Sequence, residues 1–217
     1  NGEAEMRTLI QGDCLQEMKR LKTESVDAVI TDPPYGIAYA NQAGKRVLND
    51  ERPFIWWLYD AYRIAATGGA LVCFCRWDVQ EAFRWAIEIA GFKVKSQVIW
   101  DREVHGMGDT KSAFGPRHDV IWFATKGKFE FPGRRPQSVL GFRRLLNGLI
   151  HPTQKPVELM EYLVRAVCPD EGLVLDPFMG SGSTGVACIR SGRRFIGIEQ
   201  DEEHYKNANK RMSTCTE

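Results

Sequence analysis

Apolar residues in this chain fall into short continuous runs separated by stretches with helical spacing. The runs at residues 7–12, 26–31, 70–75, 92–100, 119–124, 172–175 and 194–199 predict seven strands. Leu15, Met18 and Leu21 share one face of a short helix over 14–21. Phe54, Trp57, Leu58, Ala61 and Ile64 keep helical spacing after Pro53, a residue suited to a first helical turn, and Gly68-Gly69 is expected to end that helix. Val79, Phe83, Ile87 and Ala90 mark another helix, closed by Gly91, and further helices are predicted over 156–167, 183–191 and 202–212. The run 92–100 alternates, so it is expected to pair with 119–124 as an antiparallel ribbon at one end of the sheet. Residues 36–50 read as a loop, and 126–150 have no clear period. The alternation predicts an α/β fold: a mostly parallel, seven-stranded, Rossmann-like sheet with helices on both faces and an antiparallel edge strand.

At 217 residues, with 43% hydrophobic and 26% charged positions, the chain suits one folded domain, expected over 6–212, and does not have the composition of a disordered segment. Residues 1–5 carry no pattern and stay outside the fold argument. The formal net charge is +1, so a nucleic-acid partner would have to be held by a local basic surface. No apolar run approaches the ~18 residues of a membrane span and no signal-peptide pattern opens the chain, which leads to the expectation of a cytoplasmic protein without membrane contact. The six cysteines form no C-x-x-C pair and read as reduced, mostly buried thiols; the four histidines lack ligand spacing, so no metal is expected.

In a parallel sheet covered by helices, ligands sit beyond the carboxyl ends of strands. Four acids stand there: Asp13, Asp32, Asp176 and Glu199. A single acid after a strand reads as a helix N-cap, but four together with nearby glycines and prolines exceed that explanation. Residues 176–185 (DPFMGSGSTG) follow a strand, open a helix and hold glycines at G-x-G-x-x-G spacing, which lets the backbone turn sharply and approach a ligand. Glu199 lies nineteen residues beyond Gly180, placed for ribose hydroxyls. By spacing alone NAD is one reading. An acid beside the glycines would repel a pyrophosphate and suits S-adenosylmethionine, which carries a sulfonium and an ammonium and no phosphate. In Asp32-Pro33-Pro34-Tyr35 the prolines fix the backbone and remove two N–H donors, so the segment presents mainly acceptors. A carboxylate and a rigid carbonyl fit an amino group with two N–H bonds to donate, and Tyr35 is placed to stack on the ring that carries it.

DPPY (32–35), HPTQKP (151–156), DPFMGSGST (176–184) and FIGIE (195–199) resemble the amino-methyltransferases that act on DNA adenine N6 or cytosine N4. DPPY precedes the glycine-rich motif, as in the permuted β group of these enzymes, whose N-terminal cofactor motif is similar to GDCL (12–15). The resemblance covers nearly all of 6–212. It implies a methyltransferase sheet and S-adenosylmethionine as cofactor. Asp13 and the backbone of Cys14 would hold the cofactor's adenine, Glu199 its ribose, and Phe178, Gly180, Ser181 and Gly182 its methionine end. Thr153 and Lys155 would support its carboxylate, with Asp176 and Thr184 in the same cofactor-binding set. Asp32, Pro33, Pro34 and Tyr35 would bind the target base and activate its amine. Ser183 departs from the threonine many relatives have there. An acid opening DPPY favours adenine, since serine there is commoner in the cytosine enzymes.

The target-recognition region of the family would correspond to 126–150, which is only about 25 residues. Sequence discrimination is therefore expected to draw also on the loops 36–50 and 105–117. Duplex DNA is the expected partner. Lys126, Lys128, Arg134, Arg135, Arg143 and Arg144 face only Glu130 as a counter-charge in their stretch and read as a phosphate-contacting patch, joined by Lys45 and Arg46 and by Lys111 and Arg117. Trp56 and Trp57 are adjacent and cannot share one helix face, which leaves one of them exposed for self-association as a homodimer. An NAD-dependent oxidoreductase and a non-catalytic DNA-binding module are the alternatives from other classes.

Overall fold

In a computed structural model, which describes residues 6–36, 53–105, 111–144 and 154–215, the apolar run at 26–31 forms the middle of an eight-stranded sheet. This strand, β2 (Val26–Thr31), is buried at every residue except Asp27, as expected of a strand covered on both faces. On one side of it lie β7 (Leu173–Asp176), β8 (Arg194–Glu199) and β1 (Arg7–Gln11), all parallel. On the other side lie β3 (Ala65–Cys75), β5 (His118–Thr125), β4 (Lys93–Asp101) and β6 (Val139–Gly141).

Successive residues of β3 point to opposite faces and feed two cores. Ala70, Val72 and Phe74 pack with α4 (Val157–Val167), α5 (Ser183–Arg190) and α6 (Glu202–Ser213). Leu71, Cys73 and Cys75 pack with α1 (Cys14–Arg20), α2 (Leu58–Ile64) and α3 (Gln80–Ala90). The α/β class and the helices on both faces are as expected, and five of the six cysteines are buried free thiols. Trp57 is fully buried whereas Trp56 is 64% exposed, which resolves the adjacent pair. Among the described residues no helix is long and apolar enough to cross a membrane.

Three expectations need correction. The sheet has eight strands, because three residues of the unpatterned stretch, too few to show a period, pair with β4 through Ile99↔Val139. The antiparallel strand is not at the edge: β5 runs against both β3 and β4 and stands two strands inside it. The helix after Pro53 ends at Ile64, and Gly68-Gly69 lie inside β3. There the pairing with β2 shifts between Val26 and Ala28, and a Cβ on Gly69 would stand 2.9 Å from the Ala66 carbonyl oxygen and 3.0 Å from that of Asp27. These glycines mark a bulge, which a strand interior accommodates where a side chain would not fit.

Candidate active site

The four acid-bearing strand ends, scattered in sequence, are consecutive in space. The order β1-β8-β7-β2 sets Asp13, Glu199, Asp176 and Asp32 along one carboxyl edge. The chain leaves β2 toward β3 on one side and β7 toward β8 on the other, so a crevice opens between β7 and β2.

On the β7–β8–β1 side, backbone donors orient the carboxylates. Asp13 caps α1 by accepting the Leu15 N–H at 2.9 Å, and the Gly12 N–H donates to the Glu199 carbonyl at 2.9 Å. The Glu199 carboxylate accepts the Gly180 N–H at 2.8 Å on Oε2 and the Asp201 N–H at 2.9 Å on Oε1, and each oxygen keeps a further acceptor position. Gly180 and Gly182 have φ of +51° and +75°, the left-handed region that favours glycine. Ser181 lies in this turn with its hydroxyl 3.2 Å from that of Ser183, and Arg211 of α6 donates to the Ser181 carbonyl at 3.0 Å. Cys14 is buried, and burial, reinforced by the neighbouring Asp13 charge, pushes its thiol up to about 12, so only its backbone is offered to a ligand.

Asp176 and Thr184 lie beneath this turn rather than on its surface. Both are buried, and Asp176 accepts the Thr31 hydroxyl at 2.8 Å, the Thr184 hydroxyl at 2.6 Å and the Phe178 N–H at 3.1 Å. Its carboxylate therefore ties β2, β7 and α5 together. Burial pushes its carboxyl up to about 6, against the lowering effect of those three donors. Phe178 is half-buried, with edge contacts to Phe54 at 5.9 Å and Trp57 at 5.5 Å. The sequence marked Phe54 and Trp57 only by their helical spacing.

Beside this turn the Asp-Pro-Pro-Tyr segment is held rigidly. Pro33 is buried, and the Pro34 carbonyl accepts the Phe54 N–H at 3.3 Å. The Tyr35 hydroxyl donates to Asp32 Oδ1, and the Tyr35 ring meets Phe83 edge-on at 6.4 Å. Burial, and then the Asp32 charge, raise the Tyr35 phenol well above its ordinary value, so it remains a donor. The other Asp32 oxygen accepts from Lys155 Nζ, which also lies 5.1 Å from the Phe74 ring. Lys155, expected beside the cofactor, thus has its ammonium on the first residue of DPPY. Nothing in the sequence pairs two residues 123 positions apart.

The basic residues do not form one patch. Because β5 is antiparallel, Lys126 and Lys128 emerge at the opposite end of the sheet from Asp32. Lys126 donates to the carbonyls of Tyr62 at 3.0 Å and Ala65 at 2.8 Å, and Lys128 pairs with Glu130 at 2.8 Å. Arg134 and Arg135 are exposed on the connection from that end to β6. Arg143 and Arg144 follow β6 on the Asp32 side, where the Arg144 N–H donates to the Arg102 carbonyl at 3.0 Å. Arg117 immediately precedes β5 on the same side, bridged to Asp101 at 2.6 Å, and Lys111 is exposed on the segment leading to it. Lys45, Arg46 and Thr153 lie outside the described residues.

The family model described as DNA methylase matches residues 26–210. YubD of Escherichia coli (strain K12), named as a methylase, is 33% identical over 213 residues, covering 96% of this chain and 91% of that protein. The DNA adenine methyltransferase YhdJ of the same strain is 28% identical over 251 residues, covering 98% of this chain and 84% of YhdJ. Among solved structures, the M1.HpyAVI–SAM complex superposes with a TM-score of 0.76 at 29% identity, covering 95% of this chain and all of the other. The cytosine-N4-specific PvuII DNA methyltransferase shares the fold, with a TM-score of 0.78 at 16% identity over 98% of this chain and 90% of that one.

Proposed function

The chain belongs to the DNA methylase family of N6 and N4 amino-methyltransferases, and on that premise we propose that it transfers the methyl group of S-adenosylmethionine to the N6 amine of adenine in duplex DNA. The observation that carries this reading is the juxtaposition of the rigid acceptor segment headed by Asp32 with the left-handed Gly180–Gly182 turn, on neighbouring strand ends.

The crevice fits S-adenosylmethionine. Carboxylates at its rim suit a ligand with cationic centres and no phosphate, and the oriented Glu199 carboxylate keeps acceptor positions for two ribose hydroxyls. Asp13 and the Cys14 backbone would hold the adenine, with Phe178, Gly180, Ser181 and Gly182 along the methionine end. When bound, the cofactor supplies a sulfonium methyl, an electrophile toward nitrogen. S-adenosylmethionine should raise the melting temperature and NAD should not.

The exocyclic amine of a nucleobase is a poor nucleophile because its lone pair is conjugated into the ring. Asp32 and the Pro33 carbonyl accept its two hydrogens and favour a tetrahedral nitrogen whose lone pair is free. Fixed positioning of such groups is worth roughly 7–11 kcal/mol in favourable intramolecular cases. The base must leave the duplex stack at a cost of a few kcal/mol. Stacking on Tyr35 would return about 1–3 kcal/mol of that.

Incubation with labelled S-adenosylmethionine and duplex DNA, followed by nucleoside analysis, tests the reading: N6-methyl-2′-deoxyadenosine is expected. N4-methylcytosine would replace adenine by cytosine, a reading favoured by the shared fold with the PvuII enzyme, because both amines satisfy the same acceptors. An absence of methylated base would overturn methyl transfer altogether.

Phosphate contact is assigned to Lys111, Arg117, Arg143 and Arg144, the cations on the Asp32 side of the sheet. Three to four such contacts give a log–log salt dependence of affinity with a slope of about −3 to −4. Arg143→Ala should flatten that slope by about one while leaving base choice unchanged. Lys128→Ala, at the far end, should leave the slope as it is. Filter binding or anisotropy across a salt series checks both, and a flat dependence in the unmodified protein removes the assignment.

A further inference from the structure

We propose that Lys155 is a counter-ion shared by two sites, resting on Asp32 while the crevice lacks cofactor and moving to the cofactor's carboxylate when it binds, so that cofactor binding frees Asp32 to receive the target amine. The proposal rests on the methyl-transfer reading above.

Both Asp32 oxygens have partners in the structure: the Tyr35 hydroxyl on Oδ1 and the Lys155 ammonium on Oδ2. An amine that must give its hydrogen to this carboxylate competes with an ion pair whose side chains are only 11% and 22% accessible. Lys155 cannot simply withdraw, because an ammonium this far from water is strongly destabilised without a compensating charge. It leaves Asp32 only when another anion is offered within reach.

The main chain of Lys155 is fixed where that anion would arrive. Its carbonyl accepts the Ser183 hydroxyl at 2.9 Å, and Ser183 opens α5 directly after the left-handed Gly182. The backbone is therefore stapled beside the glycine turn, while the four-carbon stem has the rotatable bonds needed to carry its ammonium from one anion to another. A ligand carboxylate held at that turn and the Asp32 carboxylate compete for one ammonium. The consequence is coupling: cofactor and extrahelical base each tighten the other by the same factor.

The experiment uses the full chain and a duplex carrying the methylated site returned by methylation mapping. Duplex affinity is measured by anisotropy alone, with S-adenosylhomocysteine, and with methylthioadenosine, which keeps the adenosyl group and sulfur but lacks the amino-acid carboxylate. S-adenosylhomocysteine should tighten duplex binding about tenfold or more, within the usual range of coupling between sites. Methylthioadenosine should leave it unchanged. A duplex whose target base lacks its amine should show no tightening with either nucleoside. Lys155→Met should bind duplex equally with and without S-adenosylhomocysteine, and Lys155→Arg should keep the coupling. Equal tightening by both nucleosides in the unmodified protein overturns the proposal without need of any variant, as does full coupling in folded Lys155→Met. Mapping that returns no methylated base removes the methyl-transfer reading and this proposal together, whereas methylation without coupling removes this proposal alone.

Discussion

Asp32→Ala should reduce methyl transfer by about 10³-fold or more in single-turnover assays with labelled S-adenosylmethionine, with cofactor affinity unchanged or tighter. The magnitude follows from removing a preoriented group that stabilises charge developing at the reacting atom, which costs about 10²–10³ for a single hydrogen-bonding partner of this kind. Here the lost group is a full carboxylate, and the Tyr35 hydroxyl loses its acceptor with it. Asp32 touches neither the Gly180–Gly182 turn nor Glu199 through any hydrogen bond among the described residues, so the cofactor half of the crevice should stay intact. The Lys155 ammonium, deprived of its partner, would seek the cofactor's carboxylate, which is why affinity should not fall. Asp32→Asn separates geometry from charge: it keeps one acceptor oxygen, so its loss should be smaller than that of alanine. Turnover of the alanine variant within tenfold of the unmodified protein would remove Asp32 from the reaction.

The sequence made the strand ends legible because each functional acid follows a continuous apolar run, and such runs are the strongest local signal a chain carries. Asp13, Asp32, Asp176 and Glu199 could be picked out singly; that they sit on four consecutive strands could not, since strand order depends on long-range packing. The glycine turn was legible from its G-x-G-x-x-G spacing after a strand, whereas the inward orientation of Asp176 was not, because an acid at a strand end reads the same whether it faces a ligand or two threonines. The basic stretch misled for a related reason. Charge along a sequence carries no chain direction, and one reversed strand, β5, sends Lys126 and Lys128 to the far end of the sheet while β6 returns Arg143 and Arg144 to the near one. The Gly68-Gly69 pair read as a helix stop because a bulge and a stop present the same residues.

Asp176 supplies the second large effect, on stability. Its carboxyl is raised from 3.8 to about 6 in the folded chain, chiefly by burial. For an acid shifted upward, the folded state disfavours the ionised form. Below about pH 4 the group is neutral whether folded or unfolded and costs nothing; between about pH 4 and 6 the unfolded chain ionises first and stability falls; above about pH 6 the full penalty, about 3 kcal/mol, is present. Asp176→Asn removes that titration while keeping an acceptor for the Thr31 hydroxyl and the Phe178 N–H, and its amide can donate to the Thr184 hydroxyl oxygen once that hydroxyl turns its hydrogen away. Allowing for the rotation, the variant should gain about 2 kcal/mol at pH 8, roughly a 30-fold shift in the folding equilibrium, and little at pH 4. Urea denaturation at the two pH values checks this, and a gain of equal size at both would show that charge burial is not the cause. Calorimetry on the same variant decides what the carboxylate is for: if Asp176 met the cofactor's ammonium, affinity would drop with the charge. Because three protein donors enclose it, cofactor affinity should stay within about twofold of the unmodified protein, with the residue acting by holding Phe178 and the turn behind it in place.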